Sequence, residues 1–354
     1  MDDYSTKEAV LQLGILDPIV AEILKASPIT PIDYDTVTVE QMRQGLDVFE
    51  QTSYDACPTH GTQESTMTIP MRDGYESELR VIQPPSRPAS GTPLVVLLYG
   101  GGFFLGTTLQ FVPWGRAVAA LHGATVVLPS YRLAPEHKFP IGAHDVSDTM
   151  KWLAANATSL GADLSQGFVL AGGSAGGNLA IVAAHRAVKE QLSPPLTGLF
   201  ACLPVCMSEH NVPEKYKHLW LSREQNALGP NCTLKDIEVQ GQLLEQDELS
   251  EDWSPFNSDA SFAAMPPTYV QVCGKDTLRD DGLIYEKVLR DHGVRTKLDV
   301  YPGMPHGFFM AWAQLTQSLK ANVDAIAGIG WLLGKDVDRN EVERVWNLKK
   351  PIYK

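Results

Sequence analysis

Gly172, Ser174 and Gly176 alternate within AGGSAGGNLA (171–180), directly after the apolar run GFVL and directly before the helical run NLAIVAAHRAVKE. A serine in G-x-S-x-G between a strand and a helix sits on a sharp turn, because larger flanking side chains would strike neighbouring backbone. The turn lifts Ser174 Oγ to the carboxyl edge of a sheet, where ligands of open α/β sheets bind. The helix amino terminus behind it favours developing negative charge. A serine hydroxyl needs a base, itself oriented by a third group. Of the nine histidines, His306 is the candidate: GMPHGF (303–308) places it in a loop after a strand, at the same edge. His185 falls inside the helix after Ser174, His210 and His218 in a polar stretch, and His292 at a helix C-terminus, where a cation is welcome. Between serine and histidine, VCGKDTLRDDG offers Asp276, Asp280 and Asp281. Asp276 comes straight off a strand and is assigned the orienting role; Asp280 and Asp281 open a helix, where N-capping accounts for them.

Acyl transfer through a tetrahedral intermediate also needs donors for an oxyanion. LVVLLYGGGFFLG (94–106) is an apolar strand that ends in a glycine triplet. Gly100, Gly101 and Gly102 can bring backbone N–H groups close to a substrate, and Ala175 supplies another just past the nucleophile. Gly101, Gly102 and Ala175 are assigned to the oxyanion hole.

These groups need a frame to converge. Residues 1–62 read as helices: Ser5-x-x-Glu8 and Thr38-x-x-Gln41 are capping boxes, and Asp17-Pro18 pairs an N-cap with an N1 proline. Met42, Leu46 and Phe49 share a helix face. A hairpin follows around Asp73-Gly74, then short apolar strands alternate with helices. LVVLLY, ATVVLPSY, GFVLAG, TYVQVCG and TKLDVYP imply a mostly parallel sheet covered on both faces. The expected organisation is a core over 63–204 and 253–338, a polar helical insertion over 205–252 and a short extension over 339–354. With 354 residues, 44% hydrophobic, the chain has ample material for one such core. The net charge of −13, without a Lys/Arg run, argues against nucleic acid or an anionic membrane surface as partner. No signal peptide or membrane span is legible. Five scattered cysteines read as free thiols, Cys202 and Cys206 lacking a second ligand pair for zinc, which places the protein in the cytoplasm.

YGGGFFLG, YRLAPEHKFP (131–140), GGSAGGNLA, DTLRDDG and PHGF together resemble the hormone-sensitive-lipase branch of the α/β-hydrolases, over roughly residues 65–335. The order Ser, Asp, His agrees, and WSPFN (253–257) resembles the Ser-Pro pair that follows that family's cap insertion. The resemblance implies an eight-stranded α/β-hydrolase fold, with a helical cap made from the N-terminal helices and the insertion. It implies hydrolysis of small-molecule esters with short to medium acyl chains, with no cofactor or metal. Some fungal members of the family deacylate polyketide intermediates. The family's usual His before the glycines is Tyr99 here, which either supports the loop or donates its hydroxyl to substrate. Phe103, Phe104, Trp114, Trp220, Phe308 and Phe309 either line an acyl pocket or pack the core. Tyr131, Arg132 and Glu136 read as support, with a buried Arg–Glu pair bracing a loop, and Asp145 is similar. TKLDVYP reads as an edge strand at which copies pair. The rival readings are a receptor-like binding protein and a non-hydrolytic acyl transfer or cyclisation.

Overall fold

The computed structural model describes residues 4–346. Three helices open the chain: α1 (Lys7–Leu13), α2 (Pro18–Ala26) and α3 (Val39–Ala56). The alternation then proceeds through β1 (Gln63–Pro70), β2 (Glu76–Gln83), β3 (Leu94–Leu98), α4 (Val112–His122), β4 (Thr125–Pro129), α5 (Ile141–Asn156), β5 (Phe168–Gly173), α6 (Ala175–Lys189) and β6 (Gly198–Cys202). The second half holds α7 (Ser222–Gln225), α8 (Leu234–Leu244), β7 (Thr268–Cys273), α9 (Arg279–Asp291), β8 (Thr296–Tyr301), α10 (Phe308–Ala311), α11 (Thr316–Leu332) and α12 (Arg339–Trp346). Residues 1–3 and 347–354, the ends of the expected N-terminal arm and C-terminal extension, lie outside the described residues.

The eight strands form one sheet in the order β1-β2-β4-β3-β5-β6-β7-β8. β1, β2 and β4 are antiparallel neighbours, and every other pairing is parallel. β3 through β7 are buried at every position, as strands covered by helices on both faces must be. β8 is the outer strand, as its sequence suggests. Parallel pairing of β3 with β5 and of β7 with β8 brings the glycine triplet, Ser174, Asp276 and His306 to one carboxyl edge. Among the described residues, no helix is long and apolar enough to cross a membrane.

Several local expectations are corrected. The first helix is capped by Thr6, whose Oγ1 accepts from Ala9 N–H, not by Ser5. On α3 the apolar-stripe reading turns Phe49 inward, yet Phe49 is 45% exposed while Glu50 is 1% exposed. Donors from Thr107 and Gln110 make that carboxylate acceptable inside. Asp280 and Asp281 do not cap α9, whose N-terminus has no side-chain cap; Asp276 Oδ1 accepts from Leu278 N–H at 2.9 Å just before the helix. Both acids instead bind backbone of the segment between β6 and β7. Asp280 Oδ2 accepts from Leu221 and Ser222 N–H at 2.6 Å each, and Asp281 Oδ1 from Cys206 and Met207 N–H at 2.8 and 3.0 Å. Arg132 and Glu136 do not pair with each other. Arg132 forks onto buried Asp145 and reaches Asp73, while Glu136 takes Arg43 of α3.

Candidate active site

Ser174 is the residue between β5 and α6, with φ 55° and ψ −118°. A non-glycine residue held at positive φ stores on the order of 1–3 kcal/mol and persists only where its surroundings enforce it. The enforcement is visible on both sides. A Cβ on Gly172 would lie 2.1 Å from the Gly176 carbonyl oxygen, and one on Gly176 would lie 2.3 Å from that of Leu98. Ser174 N–H donates to the Cys202 carbonyl at 2.9 Å, which fixes the turn to β6.

His306 Nε2 is 3.0 Å from Ser174 Oγ, and its Nδ1 is 2.7 Å from Asp276 Oδ2. Asp276 is 1% exposed and spends its other oxygen on Leu278 N–H. Lys275 N–H donates to the Met304 carbonyl at 3.0 Å, tying the acid's loop to the histidine's. The carboxylate therefore fixes the imidazole with its proton on Nδ1, leaving Nε2 to accept from the serine. The arrangement can abstract a proton from a hydroxyl nucleophile and return it to a leaving group.

Beside the serine runs the glycine loop. Gly101 has φ +126°, and a Cβ there would lie 2.4 Å from the Leu105 carbonyl oxygen. Among the described residues, no protein acceptor takes the N–H of Gly101 or Gly102. Ala175 opens α6, where an N–H has no partner within its own helix. Gly100 differs from the expectation: its N–H donates to Gln110 Oε1 at 2.8 Å. The Gln110 amide in turn donates to Glu50 Oε1 at 2.9 Å, and Glu50 Oε2 accepts from Thr107 N–H at 3.1 Å and Oγ1 at 2.5 Å. Burial pushes the Glu50 carboxyl upward, and these donors pull it back. Seven residues earlier on α3, Arg43 Nε donates to the Phe104 carbonyl at 2.9 Å. One face of α3 thus grips both ends of the loop. Sequence reading missed Glu50, Gln110 and Arg43; the one signal, for two of them, is the heptad spacing that sets Arg43 and Glu50 on one face of α3. For Gln110→Ala, steady-state kinetics are expected to show kcat down about 10- to 100-fold with KM little changed. That is below the 10²–10³ of a direct donor, because the N–H groups stay but lose their aim.

Of the two readings of Tyr99, its contacts favour loop support. Its ring stacks on Tyr131 at 4.3 Å, and its hydroxyl donates to the Tyr131 carbonyl at 3.2 Å, while Tyr131 Oη donates to the Tyr99 carbonyl at 2.9 Å. The phenol is 2% exposed and burial pushes it up to about 12. It braces two loops. Tyr99→Phe is therefore expected to lower stability by about 1 kcal/mol in denaturant unfolding and to leave kcat/KM at the wild-type value.

A cavity of about 430 Å³ lies between α8 and the core, with Phe103, Trp220, Met207, Leu244 and Trp253 among its walls. Phe103 and Trp220 thus face open space. Phe104 is buried at 4% exposure with its carbonyl held by Arg43. Phe308 is wholly buried against Tyr301 and Phe309 and has no surface to offer a substrate. Trp114 and Phe309 stack in the core, Trp114 Nε1–H donating to Asn322 Oδ1 at 2.7 Å. Gln240 of α8 stands over Gly102, against the space a side chain there would fill.

Comparison with known proteins gives a consistent picture. A family profile described as alpha/beta hydrolase fold matches residues 95–310. The versiconal hemiacetal acetate esterase of Dothistroma septosporum is 35% identical over 246 residues, 69% of this chain and 74% of the esterase. Carboxylesterase NlhH of Mycobacterium tuberculosis is 32% identical over 304 residues, 83% of this chain and 88% of the enzyme. The crystal structure of vibralactone cyclase superposes with a TM-score of 0.84 at 31% identity, covering 91% of this chain and 96% of the cyclase.

Proposed function

The chain belongs to the α/β-hydrolase family, in its hormone-sensitive-lipase-like carboxylesterase branch, and from that premise we propose that it hydrolyses a small-molecule ester through Ser174, His306 and Asp276. The observation that carries the reading is the unbroken pair of hydrogen bonds from Asp276 through His306 to a serine held at positive φ. Ser174 Oγ attacks the ester carbonyl while His306 Nε2 takes its proton. Asp276 holds the imidazole in the right tautomer and stabilises the imidazolium. N–H groups of Gly101, Gly102 and Ala175 receive the oxyanion, and His306 then protonates the leaving alcohol. Water, activated by the same imidazole, releases the acid.

The helices α1–α3 and the segment around α7 and α8 act as one cap in this reading, supported by the Tyr34 hydroxyl bonded to Asp236 of α8. The apolar part of the wall of the 430 Å³ cavity, with Phe103, Met207, Trp220, Leu244 and Trp253, suits a short to medium acyl chain, and Phe103 and Trp220 are its contacts. The esterase relative of Dothistroma septosporum, named for a hemiacetal acetate, favours deacylation of a natural-product intermediate. Five unpaired buried thiols fit a cytoplasmic setting, and the outer strand β8 is the surface at which two copies would pair. The decisive experiment is active-site labelling with a fluorophosphonate alongside a chain-length series of p-nitrophenyl esters. Phosphonylation of Ser174 and turnover of the shorter esters are expected; folded protein without a Ser174 adduct would sink the proposal in favour of a binding protein.

The likeness to a cyclase favours one second reading, in which an internal hydroxyl replaces water as acceptor. Product analysis with an ester that carries an internal hydroxyl separates the two: the free acid alone, with no cyclic ester, excludes the second reading.

A further inference from the structure

The acid and base of the triad have a third neighbour. Cys232, in the turn between α7 and α8, is 4% exposed. Its Sγ, one Asp276 carboxylate oxygen and one His306 ring nitrogen all lie within 4.8 Å of one another, the one such trio among the described residues. Thr277 ties this turn to the acid's loop, its Oγ1 donating to the Cys232 carbonyl at 2.9 Å and lying 3.4 Å from Sγ. Thiolate, imidazole and carboxylate are the donor types of tetrahedral zinc, with bonds of about 2.0–2.3 Å and hence ligand atoms about 3.5 Å apart. Closing the trio around a cation therefore asks for movements of about 1 Å.

We propose that Cys232, Asp276 and His306 form an inhibitory site for a thiophilic divalent cation of the zinc class, with the fourth position open to water. The site rests on the placement of three side chains; only its effect on turnover rests on the hydrolase reading. The proton balance explains the inhibition. The imidazole coordinates through Nδ1, the nitrogen that faces Asp276, and its proton moves to Nε2. The thiol proton leaves to solvent as the thiolate binds. Nε2–H now donates to Ser174 Oγ instead of accepting from it, and the base is lost.

The test titrates Cd2+ or Zn2+ alone into the full chain in chelator-free buffer, comparing wild type with Cys232→Ser. Cadmium reports through its thiolate charge-transfer absorption, which needs no turnover, and zinc through loss of p-nitrophenyl acetate hydrolysis. The expected result is one Cd2+ per chain with an absorption absent from Cys232→Ser, and zinc inhibition of the variant weaker by at least about tenfold. Cys232→Ala takes its place should the serine variant fail to fold. Equal zinc sensitivity in both proteins, or a cadmium band that survives loss of Cys232, overturns the site. Cadmium bound through Cys232 in a protein that hydrolyses no ester would leave the site standing and remove the hydrolase reading.

Discussion

Ser174→Ala is expected to lower kcat on p-nitrophenyl acetate by about a millionfold, the scale seen when a triad nucleophile is lost. The residue does two things at once, and a second variant separates them. In the proposed mechanism its Oγ is irreplaceable, since the hydroxyl 3.0 Å from His306 Nε2 is the atom assigned to join the acyl group. As a backbone position it is strained, at φ 55° and ψ −118°. Alanine keeps the strain; glycine relieves it at little steric cost. Ser174→Gly should be as inactive as Ser174→Ala, yet more stable by about 1 kcal/mol in urea unfolding. Activity in either variant above about a thousandth of wild type would mean that another nucleophile carries the reaction.

Asp276→Asn is expected to cost about 10⁴-fold in kcat while the fold persists. Asp276 Oδ1 is committed to Leu278 N–H at 2.9 Å, so an asparagine there keeps its carbonyl on that donor. Its amide then points N–H at His306 Nδ1 across the present 2.7 Å contact. The imidazole must answer with a lone pair on Nδ1, which moves its proton to Nε2 and turns the base into a donor toward Ser174. KM should stay near the wild-type value, because nothing in the cavity around Phe103 and Trp220 changes. A loss of tenfold or less would show that the acid only supports the loop.

The convergence of Ser174, His306 and Asp276 was readable because each of the three is marked locally. Glycines two residues either side of Ser174 are demanded by carbonyls at 2.1 and 2.3 Å from their absent side chains, and Asp276 and His306 each follow a strand. The sheet was readable for a related reason: β3 to β7 are apolar at nearly every position because they are buried on both faces. What stayed hidden depends on partners distant in sequence. Glu50 is tolerable inside only because Thr107 and Gln110, about sixty residues away, donate to it. Asp280 and Asp281 look like helix caps until backbone from 206–222 is seen to fold onto them. Tyr99 reads as a group near the chemistry, and only its stacking on Tyr131 turns it away. Polar residues announce their type in a sequence; their partners are announced by the fold.

The grip of α3 on the glycine loop bears on how such an enzyme changes its substrate. A helix that only roofed a pocket could diverge freely, and new specificities would arise by exchanging it. Here Glu50 answers to Gln110 and Arg43 to Phe104, so α3 and the glycine loop share parts. A chimera carrying the first 62 residues of a relative would inherit a misaligned glycine loop, unless position 110 changed in step. Variation in this arm is therefore tethered to the glycine loop, and the two are expected to drift as a pair.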